Sequence, residues 1–354
     1  YDSSEVYFRE ALEMRRRLHD PMHPEVIRAY DDWGDALANT GRAPEAEVVA
    51  REDVEMKEEL YGPEHPEVAH SLHNLGATIQ FQDRYAEAIE IFEEALRRFE
   101  ASVGLEHSSA AAVYGNLARS YRLLGDADRA VELSERGVEL YEAIYGPESY
   151  RIKQHLSILG NSYAEVGRFR EALEIYDRIE AINLANDVYD RTNYENRAVT
   201  RGDLGEEEAM MAEYAASVER AREAFPDDPL VAVPALISLG QAHMRLREYD
   251  AAADSFHTVY EIRKAELPAD SWFVWNSLSL YGVALLGTDR IEEAGPALLR
   301  AYEGLLAAPR EQYADVIDLR IRETVERLTW FYEDTGNAEE LARWREVLSD
   351  LDPG

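Results

Sequence analysis

Residues 61–104 read YGPEHPEVAHSLHNLGATIQFQDRYAEAIEIFEEALRRFEASVG, and this stretch decides the fold because its pattern recurs along the chain. Its Leu72, Leu75, Gly76 and Ile79 have the spacing of one buried face of an α-helix. Shifting the window by 42 residues, and then by 42 again, brings a similar pattern back. A sequence with this self-similarity predicts a stack of repeated helix pairs.

Each repeat has a small residue on its first helix, helix A, and a small or apolar residue twelve positions later on its second helix, helix B. Small residues at both places let antiparallel helices approach closely. The helix A residues, hereafter the reference positions, are Gly34, Gly76, Ala118, Gly160, Ala198, Gly240, Gly282 and Thr329. A turn residue follows seven positions later, where Gly fits a left-handed helix cap. The turn residues are Gly41, Asp83, Gly125, Gly167, Gly205, Arg247, Asp289 and Gly336.

The predicted fold is all-α, a right-handed α-solenoid of antiparallel helix pairs that occupies residues 1–354 as a single domain. Patterns typical of strands are not evident. Residues 3–18 align with a helix B whose helix A is missing, so we expect the natural protein to continue upstream. The predicted repeats span about 24–62, 66–104, 108–146, 150–181, 187–225, 229–267, 271–308 and 311–351.

The linkers between the early repeats carry a second signature. Residues 61–68 read YGPEHPEV, which ends one helix with Gly and begins the next with Pro in its first turn. His23, His65 and His107 recur in these linkers with a spacing of 42, which indicates a role in starting helices. The units resemble tetratricopeptide repeats, specifically the forty-two-residue variety of kinesin light chains, which is also common in bacterial multidomain signalling proteins.

The amino-acid composition limits the kinds of partner that this protein is expected to bind. The chain has 71 acidic and 37 basic residues and a formal net charge of -34, which disfavours nucleic acid and anionic membrane surfaces. The charge would favour a basic partner, a salt-adapted host or simply high solubility. There is no cysteine and no apolar run long enough to span a membrane, and the first residues, YDSSEVYFRE, do not have the pattern of a signal peptide. We expect a cytoplasmic protein.

Catalytic and cofactor motifs are missing from the sequence. It contains no GxxxxGK[ST], GxGxxG, GxSxG or HExxH pattern. His70 and His73 lie three residues apart on helix A and could in principle hold a metal, but no third ligand at helical spacing joins them. We therefore interpret them as polar residues that line a groove. The sequence predicts a protein that is not an enzyme and has no cofactor or metal.

The strongest functional signal is periodic. In a stack of helix pairs the A helices line the concave surface, and residues two before, one after and four after the reference position point toward it. Asn recurs at the position two before the reference position, although Asn is a poor helix-interior residue. The Asn amide can clamp a peptide backbone because it both donates and accepts hydrogen bonds. The resemblance implies the same use of Asn. The predicted peptide-binding residues are His70, His73, Asn74, Gln80, Asn116, Arg119, Arg122, Asn161, Asn196 and Gln241.

Arg119 and Arg122, one turn apart beside Asn116, form a basic pair in a strongly acidic chain. They could bind a free carboxylate or acidic group of a ligand. The alternative is that they neutralise acidic residues of neighbouring helices. For Asn161, a ligand contact and a satisfied buried amide are both open.

The function predicted from these features is a non-catalytic scaffold that binds a protein or peptide on its concave A-helix surface, as the interaction or regulatory part of a larger protein. One alternative, suggested by the resemblance, is a sensor array attached to an upstream serine/threonine kinase or nucleotide-binding switch domain. Another is a self-assembly module that forms a homo-oligomer through the N-terminal helix.

Overall fold

The computed structural model describes residues 2–311 and 313–351, and these ranges contain seventeen α-helices and no strand. The fold is therefore all-α, an α-solenoid of helix pairs, as the periodicity predicts. None of the helices in these ranges has the length and apolar character needed to cross a membrane.

The chain divides into two compact units that meet in sequence between Asn186 and Asp187. The predicted organisation of residues 1–354 as a single domain stays a prediction. The helices of the first unit are α1 (Asp2–Leu18), α2 (Pro24–Asn39), α3 (Ala43–Tyr61), α4 (Pro66–Gln80), α5 (Tyr85–Ser102), α6 (Ser108–Leu123), α7 (Ala127–Tyr145), α8 (Lys153–Glu165) and α9 (Phe169–Ala185). Those of the second are α10 (Arg191–Asp203), α11 (Glu207–Ala224), α12 (Val233–Arg245), α13 (Tyr249–Glu266), α14 (Trp272–Leu285), α15 (Ile291–Ala307), α16 (Ala314–Asp334) and α17 (Ala338–Asp350).

Within each unit, every helix packs against the next one along the chain. In the first unit α2, α4, α6 and α8 are the A helices, and in the second α10, α12, α14 and α16 take that place. The A helix and B helix of a pair are joined by three to five residues. Such short turns make the two partners run antiparallel. A helices of successive repeats also contact each other, as α4 does α6 and α14 does α16.

The predicted close approach of helix A to helix B is confirmed. A Cβ atom added at Gly76 would lie 2.6 Å from the ring of Phe92, and one added at Gly240 would lie 2.7 Å from Phe256. Such distances are shorter than any real contact, so only glycine lets these aromatic rings lie directly on helix A. The repeated small residues of the sequence therefore mark places where helix B lies in direct contact with helix A.

The helix-starting role of the linker histidines is also confirmed. The Nδ1 atoms of His23, His65 and His107 each accept a hydrogen bond from a backbone N–H in the first turn of the following helix. The donors are Glu25, Glu67 and Ser109, at 3.2, 3.3 and 3.3 Å. These N-caps satisfy amides that a helix leaves without partners, and the acceptor role requires a Nδ1 atom without a proton.

The turns between helix A and helix B use a left-handed residue, with one exception. Seven of the eight predicted turn residues have positive φ, from 59° at Asp83 to 86° at Gly125. Asp289 does not, because the α14–α15 connection has five residues and follows a different path. Arg247 adopts φ 62° despite its side chain, and Gly205 adopts φ 76°.

Replacing Gly205 by Ala is expected to lower the free energy of unfolding by about 1 kcal/mol, since any Cβ is strained at this φ. Nothing lies within 4 Å of an added Cβ there, so backbone strain is the whole cause. Arg247→Ala is the matched control, because that position already bears the strain. Urea denaturation followed by circular dichroism measures both variants, and equal losses would contradict the explanation.

Candidate interaction surface on the A helices

Five of the eight A helices expose to solvent the residue directly after the reference position, hereafter the open register. In the other three helices the residue at this position is half-buried. In the first unit Asp35 and Arg119 are exposed there, and in the second unit Val199, Gln241 and Trp330 are. These side chains are free of the packing that fixes the rest of each A helix, so they form the candidate interaction surface.

Three of the predicted binding residues are engaged with each other between α4 and α6. His73 Nε2 accepts a hydrogen bond from Asn116 Nδ2 at 2.8 Å. Gln80 Nε2 donates to the backbone oxygen of Asn116 at 2.9 Å and to Ser120 Oγ at 2.7 Å. Gln80 is buried, contrary to its predicted place in an open groove, because the two A helices are close enough for its amide to bridge them. Ligand binding by these residues stays a prediction.

The histidines of α4 are uncharged at neutral pH. Burial lowers the pKa of His73 to about 4 and also lowers the pKa of His70. The Nε2 atom of His70 lies 2.9 Å from Ser109 Oγ, and its ring meets Phe99 edge-on. In the described ranges no group of three or more His, Asp or Glu side chains is placed to hold a metal ion.

Of the two arginines predicted on α6, one forms an ion pair and the other is exposed. Arg122 forms an ion pair with Glu165 of the next A helix, as the neutralising alternative proposes. Arg119 is exposed. Asn161 Oδ1 accepts a hydrogen bond from the hydroxyl of Tyr176 at 2.7 Å, within its own repeat. Arg119 is therefore the side chain of this group that is best placed to meet a partner.

The remaining predicted residues lie in different surroundings. Asn74 is half-buried and lines a small cavity of about 20 Å³ together with Asp53. Asn196 is half-buried on α10. Gln241 is exposed and borders a cleft that also includes Met244. These residues therefore differ in burial and neighbours, and peptide binding by them stays a prediction.

A buried charge cluster beside Asn74 was not predicted. Lys57 Nζ lies 2.8 Å from Asp31 Oδ2, 3.0 Å from Asp53 Oδ2 and 2.9 Å from Ser71 Oγ. Lys57 and Asp53 are each 3% exposed. Burial raises the pKa of Asp53 to about 6, against the opposing attraction of Lys57. The cluster links α2, α3 and α4 and therefore belongs to the framework under the surface.

In the second unit, the positions one and four after the reference position are mostly apolar, whereas the prediction selects the polar Gln241 there. Half-exposed Met244, Val283 and Leu286 and the exposed Trp330 stand one or four positions after their reference positions. The sequence pattern predicts that both positions face the concave surface, but the predicted peptide-binding residues all have hydrogen-bonding side chains and do not include these four.

The N-terminal helix α1 exposes an apolar stripe. Tyr7, Met14 and Leu18 are 70%, 63% and 70% exposed and are spaced seven and four residues apart. Side chains at this spacing share one helix face. The predicted homo-oligomer contact through this helix stays a prediction.

Comparisons with known proteins identify the repeats. Models of the tetratricopeptide repeat match residues 1–25, 33–101, 109–185 and 235–269. No curated protein sequence matches the chain.

Solved structures resemble the chain at low sequence identity. BtubC (BKLC) from P. vanneervenii is 20% identical, with a TM-score of 0.56 over 64% of this chain and 92% of that one. The C-terminal part of a TPR repeat-containing protein from Cytophaga hutchinsonii is 17% identical, with a TM-score of 0.55 over 79% and 95%. The apo form of the quorum sensor NprR from B. thuringiensis is 13% identical, with a TM-score of 0.51 over 99% and 98%. At these identities the likeness is one of fold.

The chain belongs to the tetratricopeptide repeat family. Its 42-residue period and its linkers are of the kinesin light chain-like kind.

Proposed function

We propose that this protein is a non-catalytic scaffold that binds a segment of a partner protein on the exposed side of its A helices. The observation that carries the proposal is the open register in both units, where Arg119, Val199, Gln241 and Trp330 are exposed at equivalent positions. Repeated side chains at one register suit an extended partner, which meets one repeat after another.

The mechanism follows from the rigidity of the A helices. The hydrogen bonds of Gln80 and His73 to residues of α6 hold neighbouring A helices in place before any partner arrives. A surface held in this way loses little conformational entropy on binding, so that more of the contact energy appears as affinity. The predicted link to an upstream signalling domain and the cytoplasmic location stay predictions of the sequence.

A capture experiment tests the proposal with two matched variants of the full chain. The A-face variant replaces Arg119, Val199, Gln241 and Trp330 by Ala. The control variant replaces four exposed residues of B helices by Ala, and these are Arg97, Glu132, Glu219 and Glu261. Asn116 is left unchanged because its side chain holds α4 to α6.

We expect partners captured from host lysate by the unchanged chain to be lost with the A-face variant and retained with the control, as quantified by mass spectrometry. Thermal unfolding of both variants should match the unchanged chain, since all eight side chains are exposed. Equal capture by both variants, or loss with the control alone, would place binding elsewhere and contradict the proposal.

A further inference from the structure

The second unit has a cleft in its A-helix face that is walled by apolar side chains. Its volume is about 390 Å³, within the roughly 300–1,000 Å³ typical of ligand sites. Residues of α12, α14 and α16, the first residue of α13 and the two residues after α14 line it. They are Met244, Tyr249, Val283, Leu286, Gly287, Trp330, Glu333 and Asp334.

Trp330 is the most unusual side chain of this wall. It is 49% exposed, whereas Trp344 of the core is 3% exposed. Burying the remaining apolar area of a tryptophan is favourable by about 25 cal/mol per Å², and the fold leaves this gain unused. Aromatic side chains in such positions are the residues that most often dominate binding energies at protein interfaces.

Another part of the lining depends on a glycine. A Cβ atom at Gly287 would lie 2.2 Å from the ring of Tyr249, so the ring packs directly on the backbone there. Val283 on α14 and Leu286, directly after that helix, are half-exposed as well. The packing of Tyr249 on Gly287 therefore forms this part of the cleft before a ligand arrives.

The charged residues of the lining are all acidic. Glu333 and Asp334 are exposed at the cleft, and none of the lining residues is basic. Arg345 lies 3.1 Å from Glu333 and neutralises part of this charge, while Asp334 adds a second carboxylate. In a chain of net charge -34, a ligand with a basic group next to its apolar anchor is complementary to this rim.

We propose that this cleft binds a peptide segment in which an aromatic or leucine side chain lies next to a lysine or arginine. The apolar side chain packs between Trp330 and Leu286, and the basic group faces Glu333 and Asp334. This inference rests on the proposed scaffold function and assigns it one subsite and the chemistry of its partner.

A selection of random phage-displayed peptides on the full-length chain tests the proposal. We expect the enriched peptides to pair an aromatic or leucine residue with a basic one. Trp330→Ala should weaken their binding by at least about tenfold, and so should a change of the peptide's basic residue to Glu. Phe81→Ala is the matched control, because Phe81 is 65% exposed and lies in the first unit, and it should leave affinity unchanged.

Fluorine NMR locates the contact. The chain has five tryptophans, and labelling with 5-fluorotryptophan gives one signal for each, of which Trp330→Ala removes one. Titration with an enriched peptide should move that signal. The proposal is overturned if the signal does not respond, if enriched peptides are acidic or bind Trp330→Ala equally well, or if the signal moves with protein concentration alone, which would indicate a second copy. Peptides that bind Trp330→Ala but not the four-residue A-face variant would leave the scaffold function standing.

Discussion

Lys57→Met is expected to lower the free energy of unfolding of the first unit by about 3–5 kcal/mol, the usual cost of breaking a buried ion pair by removing one partner. Lys57 is the one cation of its cluster and contacts both Asp31 and Asp53. Without it, Asp53 keeps a buried negative charge that has lost its compensation. The Oδ1 atom of Asp53 has no hydrogen-bond partner within the described ranges, so the remaining bond from Ser71 cannot make up the loss.

Denaturation by urea, followed by circular dichroism at pH 8 and pH 5, measures this effect. Asp53 already has a pKa raised to about 6 in the folded chain. Loss of Lys57 should raise it further, so a proton can neutralise Asp53 at pH 5 and the cost of Lys57→Met should shrink there. Adding Asp53→Asn to Lys57→Met should recover much of the loss at pH 8. Lys264→Met, at an exposed lysine, is the control and should change stability by less than about 1 kcal/mol. A loss that is the same at both pH values would show that the buried charge is not its cause.

The sequence predicts the architecture because its period reflects steric contacts that every repeat must make. The small reference residues, the glycine turns and the histidine caps each have a local cause, so their spacing could be interpreted without coordinates. Asp289 marks the limit of this reasoning. Its connection has five residues, and the position seven after the reference residue then no longer meets the left-handed turn.

It is harder to predict which side chains of the A helices are exposed to solvent, because their exposure depends on the distance between neighbouring A helices. Gln80 and Arg119 stand at predicted groove positions, yet Gln80 bridges two helices and is buried while Arg119 is exposed. Side-chain type does not distinguish these cases. A prediction restricted to polar residues also omits Trp330 and Leu286, although they stand one and four positions after their reference positions.

The same period could have revealed the buried polar residues of the first unit. Lys57 stands 42 residues before Phe99, and His155 stands 42 residues after Val113. Phe99 and Val113 are fully buried. A polar residue at a core position must be paired or remain uncharged. Lys57 is paired, whereas His155 remains uncharged. Protonation of His155 should therefore oppose folding of the first unit.

Lowering the pH from 7.5 to 5.0 is expected to cost the first unit roughly 2 kcal/mol of stability through His155 alone. His155 is 7% exposed, its ring stacks on Tyr141 at 3.8 Å, and burial lowers its pKa from 6.5 to about 4. Because the unfolded chain takes up this proton at higher pH than the folded chain does, the contribution is complete above pH 6.5. It is lost progressively as the pH falls from 6.5 toward 4.

His155→Gln isolates the contribution, since glutamine keeps a side-chain donor but does not titrate. His73 titrates in the same direction, whereas Asp53, with a pKa raised to about 6, gains a proton in the folded state first and opposes the loss. Only the difference between the unchanged chain and His155→Gln at each pH is therefore informative. We expect this difference in unfolding free energy to move by roughly 2 kcal/mol in favour of the variant between pH 7.5 and 5.0. His257→Gln, at an exposed histidine, is the control substitution. A constant difference for His155→Gln would mean that the folded chain accepts a proton at this ring, and that His155 is not held uncharged by the core.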